Sequence, residues 1–202
     1  MPIAINGSGT VTGISVGGLP DGIVDNDTIA ADAVTAAKIG SKTFTSYAII
    51  ADVKASNADG GTFTSGAWRT RDLNTELLDV DNIVSISSNQ FTLQAGTYLI
   101  VFSAPAHNAN SHQTRLYNIS TSLNVQYGQS AYSGSSSSMT TYSRGAVRVT
   151  IASSTVFEIQ HRCASSTSTY GLGVGTSGGM DWGSSDAING ATYCVVEIYK
   201  EA

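Results

Sequence analysis

The chain has 202 residues, of which 41% are hydrophobic and 12% charged, with a formal net charge of −5. That length holds one domain of ordinary size plus a small appendage, and the apolar share excludes a disordered chain. Ten basic residues without a Lys or Arg run exclude the footprint of a nucleic-acid binder, and no stretch nears the ~18 apolar residues of a membrane span.

Residues 1–45 read as a thin N-terminal stalk. Their start, MPIAINGSGT, has no charged opening and no apolar core of a signal peptide, so the expectation is a chain folded in a cytoplasm. Ile3, Ile5, Val11 and Ile14 stand between glycine turns. Val24, Ile29, Val34 and Ile39 then recur every five residues, which matches neither the helical nor the strand period. The alanines from Ala30 to Ala37 also allow a short helix stopped at Gly40. On either reading the stripe is too thin for a core. Three copies around an axis would bury one another.

Residues 46–202 read as an all-β head. Tyr47–Val53 is a strand, Thr62–Leu73 an extended region, and Leu77–Asn82 a loop holding Asp79 and Asp81. Ile83–Ile86 and Phe91–Leu93 are short strands. Thr97–Ala104 is an apolar strand closed by Pro105, expected at the centre of a sheet. The polar loop His107–Ser111 leads to an alternating strand, Gln113–Ile119. Leu123–Tyr127, Ala146–Ile151, Val156–Cys163 and Ala191–Lys200 complete the strands, with Ser130–Met139 and Ser165–Asp186 as loops. Strands at such intervals, broken by Gly and Ser turns, imply a β-sandwich or jelly roll. Cys163 and Cys194 fall in strands, which can make them neighbours in one sheet. In a reducing compartment they read as two buried free thiols.

Several runs carry a resemblance. They are GTFTSGAWRTRDLNT (Gly61–Thr75), FTLQAGTY (Phe91–Tyr98), HQTRLYN (His112–Asn118), EIQHRC (Glu158–Cys163) and VEIYK (Val196–Lys200). The set resembles a head domain at the C-terminus of phage virion proteins, tail fibres above all, and of collagen-like bacterial chains. Its strand layout is similar to the jelly-roll heads of complement and the tumour-necrosis-factor family. The resemblance implies a homotrimeric virion component, assembled in the host cytoplasm. Ile3, Ile5, Val11, Ile14, Val24, Ile29, Val34 and Ile39 would then attach it to other virion proteins. There is no collagen repeat, so this stalk must trimerise differently.

The function expected is a non-enzymatic tail-fibre adhesin whose head binds a host-surface receptor, a glycan or a protein. The alternatives are a capsid decoration or tail-tip protein with no receptor, and a glycan-degrading spike. Flat rings flanked by hydroxyls suit sugars, because a ring packs a pyranose C–H face. On that chemistry Tyr132, Tyr142, Tyr170 and Trp182 are the receptor candidates. The competing reading packs each at a strand end. His112, Arg115, Tyr117, His161 and Arg162 are candidates for the trimer seam, since His and Arg in strands bound for burial need partners. The same residues can find those partners within one head.

No metal site is expected, because three scattered histidines do not make a four-ligand set. No cofactor is expected either. The carboxylates Asp72, Glu76, Asp79 and Asp81 read as loop solvation and turn caps rather than an acid/base pair. There is no Gly-x-Ser-x-Gly elbow. GLGVG, Gly171–Gly175, lacks the strand-to-helix context of a phosphate loop and reads as a flexible hairpin.

Overall fold

A computed structural model describes residues 44–55, 57–136, 138–175 and 190–202. Residues 1–43, and with them the eight apolar stalk positions, lie outside the described residues. So does Trp182.

Twelve strands follow one another: β1 Phe44–Ala55, β2 Arg69–Thr70, β3 Thr75–Asp79, β4 Val84–Ser87, β5 Gln90–Leu93, β6 Gly96–His107, β7 Asn110–Asn118, β8 Leu123–Tyr127, β9 Ala131–Ser133, β10 Thr140–Ile151, β11 Thr155–Cys163 and β12 Gly190–Glu201. They form two antiparallel sheets. The first has the order β10-β6-β12-β1-β3, the second β4-β5-β11-β7-β8, with β2 on β11 and β9 on β7. Long strands that alternate between the sheets in this order make a jelly roll. The expected fold class holds, and β6 lies at the interior of its sheet, between β10 and β12.

The core lies between the sheets. Phe91, Leu93, Tyr98, Ile100, Phe102, Leu116, Phe157, Ile159, Val196 and Ile198 are buried there, with Phe91 stacked on Phe157 at 5.7 Å. Period-two alternation explains the choice. In β6, Tyr98, Ile100 and Phe102 point inward while Leu99, Val101 and Ser103 are half-buried on the outer face. Gly145 faces the Phe102 ring, which a Cβ would meet at 2.2 Å, so a side chain has no room there.

Several expectations are corrected. Leu77–Asn82 is not all loop, because Thr75–Asp79 pairs with the edge of β1. Asp79 does cap a turn: its carboxylate accepts from Ile83 N and Val84 N at 2.9 and 3.0 Å. Pro105 does not close its strand, since β6 continues to His107. The Pro105 carbonyl accepts from buried Arg71 at 3.2 Å, away from the β10 ladder. In a strand a residue's N and C=O point the same way, so the missing N–H costs the ladder nothing. His107–Ser111 is mostly strand, with only Asn108 and Ala109 connecting β6 to β7 across the two sheets, and with Asn108 and Asn110 at φ 50° and 57°. Ser130–Met139 contains β9.

Gly171–Gly175 is tied down rather than a flexible hairpin. Gly60 N donates to Gly173 O at 2.8 Å, Leu172 N to Gly61 O at 3.0 Å, and Gly175 N to Asp59 at 2.8 Å. Cys163 and Cys194 are free and buried, as expected of small hydrophobes, but they sit in different sheets.

Candidate functional site

The solvent face of the second sheet carries the richest side-chain arrangement. On β7 and β11, His112, Thr114, Leu116, Phe157, Ile159, His161 and Cys163 point inward. Gln113, Arg115, Tyr117, Glu158, Gln160 and Arg162 therefore point outward, and the register sets Gln113 opposite Arg162 and Arg115 opposite Gln160. Trp68 stands just before β2, whose Arg69 pairs with His161, and this brings the indole onto the same face.

There the Arg115 guanidinium lies over two rings, 4.2 Å from the centroid of Trp68 and 4.6 Å from that of Tyr117. Its Nε donates to Gln160 Oε1 at 2.8 Å. Gln160 donates in turn to Glu158, which also accepts from Gln90 at 3.2 Å. Tyr127 packs against Trp68 as well, tilted, at 5.9 Å between centroids. Beside the indole opens a groove of about 550 Å³, lined by Ser65, Gly66, Trp68, Ser111, His112, Gln113, Ser130, Arg162, Cys163 and Ala164.

Beneath this face the interior is polar. His112 Nδ1 and His161 Nε2 are hydrogen-bonded at 3.0 Å, and His112 Nε2 bonds Thr141 of the opposite sheet at 2.8 Å. Burial pulls His112 down to about 4, helped by the positive charge of Arg71. Burial pushes His161 well below the usual imidazole range, with Arg71 and His112 adding to it. Both are neutral at pH 7. Arg71 is fully buried and donates to Pro105 O and Leu172 O. Burial raises the Cys163 thiol to about 11 and the Cys194 thiol to about 12, so neither is a thiolate nucleophile at neutral pH. Among the described residues no group of three or more His, Cys, Asp or Glu is placed to hold a metal ion. Ring faces, amides, hydroxyls and a guanidinium can bind; the groove shows no activated nucleophile.

The sequence-derived candidates separate here. Tyr132 on β9 and Tyr142 on β10 are exposed, 60% and 50%, and Tyr170 packs edge-on to His107 at 5.2 Å. These three rings make no ring contact with one another. Arg115, Tyr117 and Arg162 do share one face. His112 and His161 are buried and bond each other inside the head, and of the two only His112 reaches the groove wall. Trp68, the indole at the centre of the face, was missed as a site residue. It lay within the run that carries the resemblance, but nothing local marks it. Only the pairing of β2 with β11 brings it to Arg115.

No family model matches the sequence, and no curated protein matches it. Among solved structures, the chain is similar to the globular domain of zebrafish complement 1qA protein, at 15% identity over 76% of this chain and 95% of that one, with a TM-score of 0.46. It is also similar to murine APRIL at pH 8.0, at 9% identity over 77% and 98%, with a TM-score of 0.47. Both likenesses concern the fold alone.

Proposed function

We propose that the chain is a non-enzymatic virion fibre protein whose head is a homotrimeric adhesin, and that the groove beside Trp68 receives a host-surface glycan. The groove carries the reading: an indole already fixed by Arg115 stands over a concave, hydroxyl- and amide-lined floor, the composition of a sugar seat. The virion setting is supported by the sequence runs Gly61–Thr75, His112–Asn118 and Glu158–Cys163. Attachment of residues 1–45 to other virion proteins belongs to the same proposal.

The trimer seam is better served by the outer face of the first sheet. Across four strands the register lines up Tyr47, Tyr199, Leu99 and Arg148, and beside them Ile49, Glu197, Val101 and Ala146. Tyr47 and Tyr199 stack at 6.1 Å, and Tyr47 is 48% exposed. Apolar groups in two adjacent rows are what a second copy would cover. Three weak glycan seats on one rigid trimer gain avidity without a tight single contact.

Sizing with light scattering on the micromolar protein is expected to give three chain masses, and one chain mass for a folded Val101→Arg. A monomeric wild type would remove the trimer. Labelled head should adsorb saturably to host cells, with adsorption lost in Trp68→Ala. No adsorption by wild type, with particles that fall apart without the protein, would instead favour a capsid decoration or tail-tip role.

A further inference from the structure

We infer that the groove beside Trp68 is a seat for a carboxylated hexose, a uronic acid residue of a glycan, with Arg162 taking the carboxylate and Trp68 the C–H face of the pyranose. This rests on the groove being the glycan seat proposed above.

The charge balance of the groove leads there. The chain carries −5 overall, yet no carboxylate lines the groove and one guanidinium does. Of the arginines around Trp68, Arg69, its chain neighbour, donates from Nε to the Thr64 carbonyl at 3.3 Å, and Arg115 is committed. It is stacked between Trp68 and Tyr117 and donates to Gln160. The side chain of Arg162, exposed on the outer face of β11, has no hydrogen bond or ion pair among the described residues. A planar guanidinium with its donors unspent matches a carboxylate through two parallel hydrogen bonds. The nearest carboxylate on this face, Glu158, is occupied by Gln90 and Gln160.

The remaining polar groups fit sugar hydroxyls rather than a second charge. The amide nitrogen of Gln113, which the register sets opposite Arg162, already donates to Gly128 O at 2.9 Å. That leaves the amide oxygen of this groove-lining residue as an acceptor with no partner among the described residues. The exposed hydroxyls of Ser111 and Ser130 can donate or accept. His112 lines the groove as a neutral ring held by His161 and Thr141, so it adds no competing charge. A volume of about 550 Å³ lies within the range that holds a drug-sized ligand, one or two sugar rings.

The test is calorimetric titration of the full chain with uronic acid trisaccharides of gluco, galacto and manno configuration, each beside its methyl ester and its neutral hexose counterpart. At least one acid is expected to bind on the order of tenfold more tightly than its ester, with the preference shrinking as salt is raised. Arg162→Gln should abolish the preference while leaving ester binding in place, and Arg162→Lys should restore part of it. Trp68→Ala, shown folded by circular dichroism, should lose acid and ester alike. Equal affinity for acid and ester, a preference unchanged in Arg162→Gln, or tighter binding of a sulfated trisaccharide would overturn the uronic acid assignment and leave the groove a saccharide seat. No saccharide binding at all, with cell adsorption unchanged by Trp68→Ala, would overturn both.

Discussion

The two ends of the sandwich interior are built on different physics. At one end Phe91, Leu93, Tyr98, Ile100, Leu116 and Phe157 pack a dry core. At the other, further along β6, β7 and β11, a small apolar cluster of Phe63, Ala106, Ala109 and Cys163 packs beside buried polar side chains, Arg71, His112, Thr114, Ser143 and His161. Apolar burial is strong and non-directional, so the first end supplies stability without fixing register. Hydrogen bonds are weaker in net terms but directional, and they leave a costly orphan when broken. The second end therefore holds β7, β10 and the Gly171–Gly175 segment in one arrangement. His112 belongs both to this polar end and to the groove wall. The polar end thus shapes the wall of the groove proposed as the binding seat.

The largest effect is expected at the apolar end. Phe157 is buried and stacked on Phe91. Phe157→Ala should cost about 3–5 kcal/mol of unfolding free energy in a denaturant titration. Saccharide binding by the fraction that stays folded should be unchanged, and a parallel loss of affinity would show that the two ends are not separable.

Acid attacks the other end. Both histidines have folded-state values below the unfolded one of about 6.5, so the unfolded chain binds more protons in the window between. Stability should be full above about pH 6.5 and fall as the pH drops toward 4, the value to which His112 is lowered. Protonation there would place a cation beside Arg71 and the second ring. His112 alone supplies about 3 kcal/mol across that span. Asp52, whose carboxyl is raised by burial, works the other way and subtracts from the fall. Chemical denaturation at pH 7, 5.5 and 4.5 checks the sign, and a flat profile would mean that the His pair is not held neutral by the fold.

The apolar end was legible in the sequence and the polar end was not. Strands such as Thr97–Ala104 and Ala146–Ile151 announce themselves by a continuous apolar run and by alternation, local properties of consecutive residues. No local pattern can say that His112 and His161 meet inside the head, because that depends on the register of β7 against β11. Arg71 is the extreme case. A guanidinium in a polar run reads as surface, and only β6 and the Leu172 carbonyl, brought there by tertiary folding, supply its acceptors. Thr75–Asp79 failed for a related reason. Its sequence has no strand alternation, and it is a strand because β1 offers it an edge. Trp68 combines both difficulties, since its neighbours Arg115 and Tyr127 come from β7 and β8.

Ser143 tests how far the polar end reaches, with the smallest effect of the three. Its Oγ accepts from Thr114 N at 2.9 Å, bonds Thr114 Oγ1 at 2.8 Å and donates to Gln129 O at 2.6 Å. One hydroxyl thereby ties β10 to β7 and to the segment that carries Ser130 into the groove. Ser143→Ala leaves a buried Thr114 N–H without its partner, which should cost about 1–2 kcal/mol. It also removes the bond to Gln129 O, leaving Gln129 held by its N–H to Arg144 O at 2.6 Å, so Ser130 is held less tightly and saccharide affinity should fall severalfold at unchanged acid-to-ester preference, because Arg162 on β11 is untouched. If stability falls and affinity does not, the hydrogen bonds of the polar end serve the fold alone, and the groove owes its shape to the outer face.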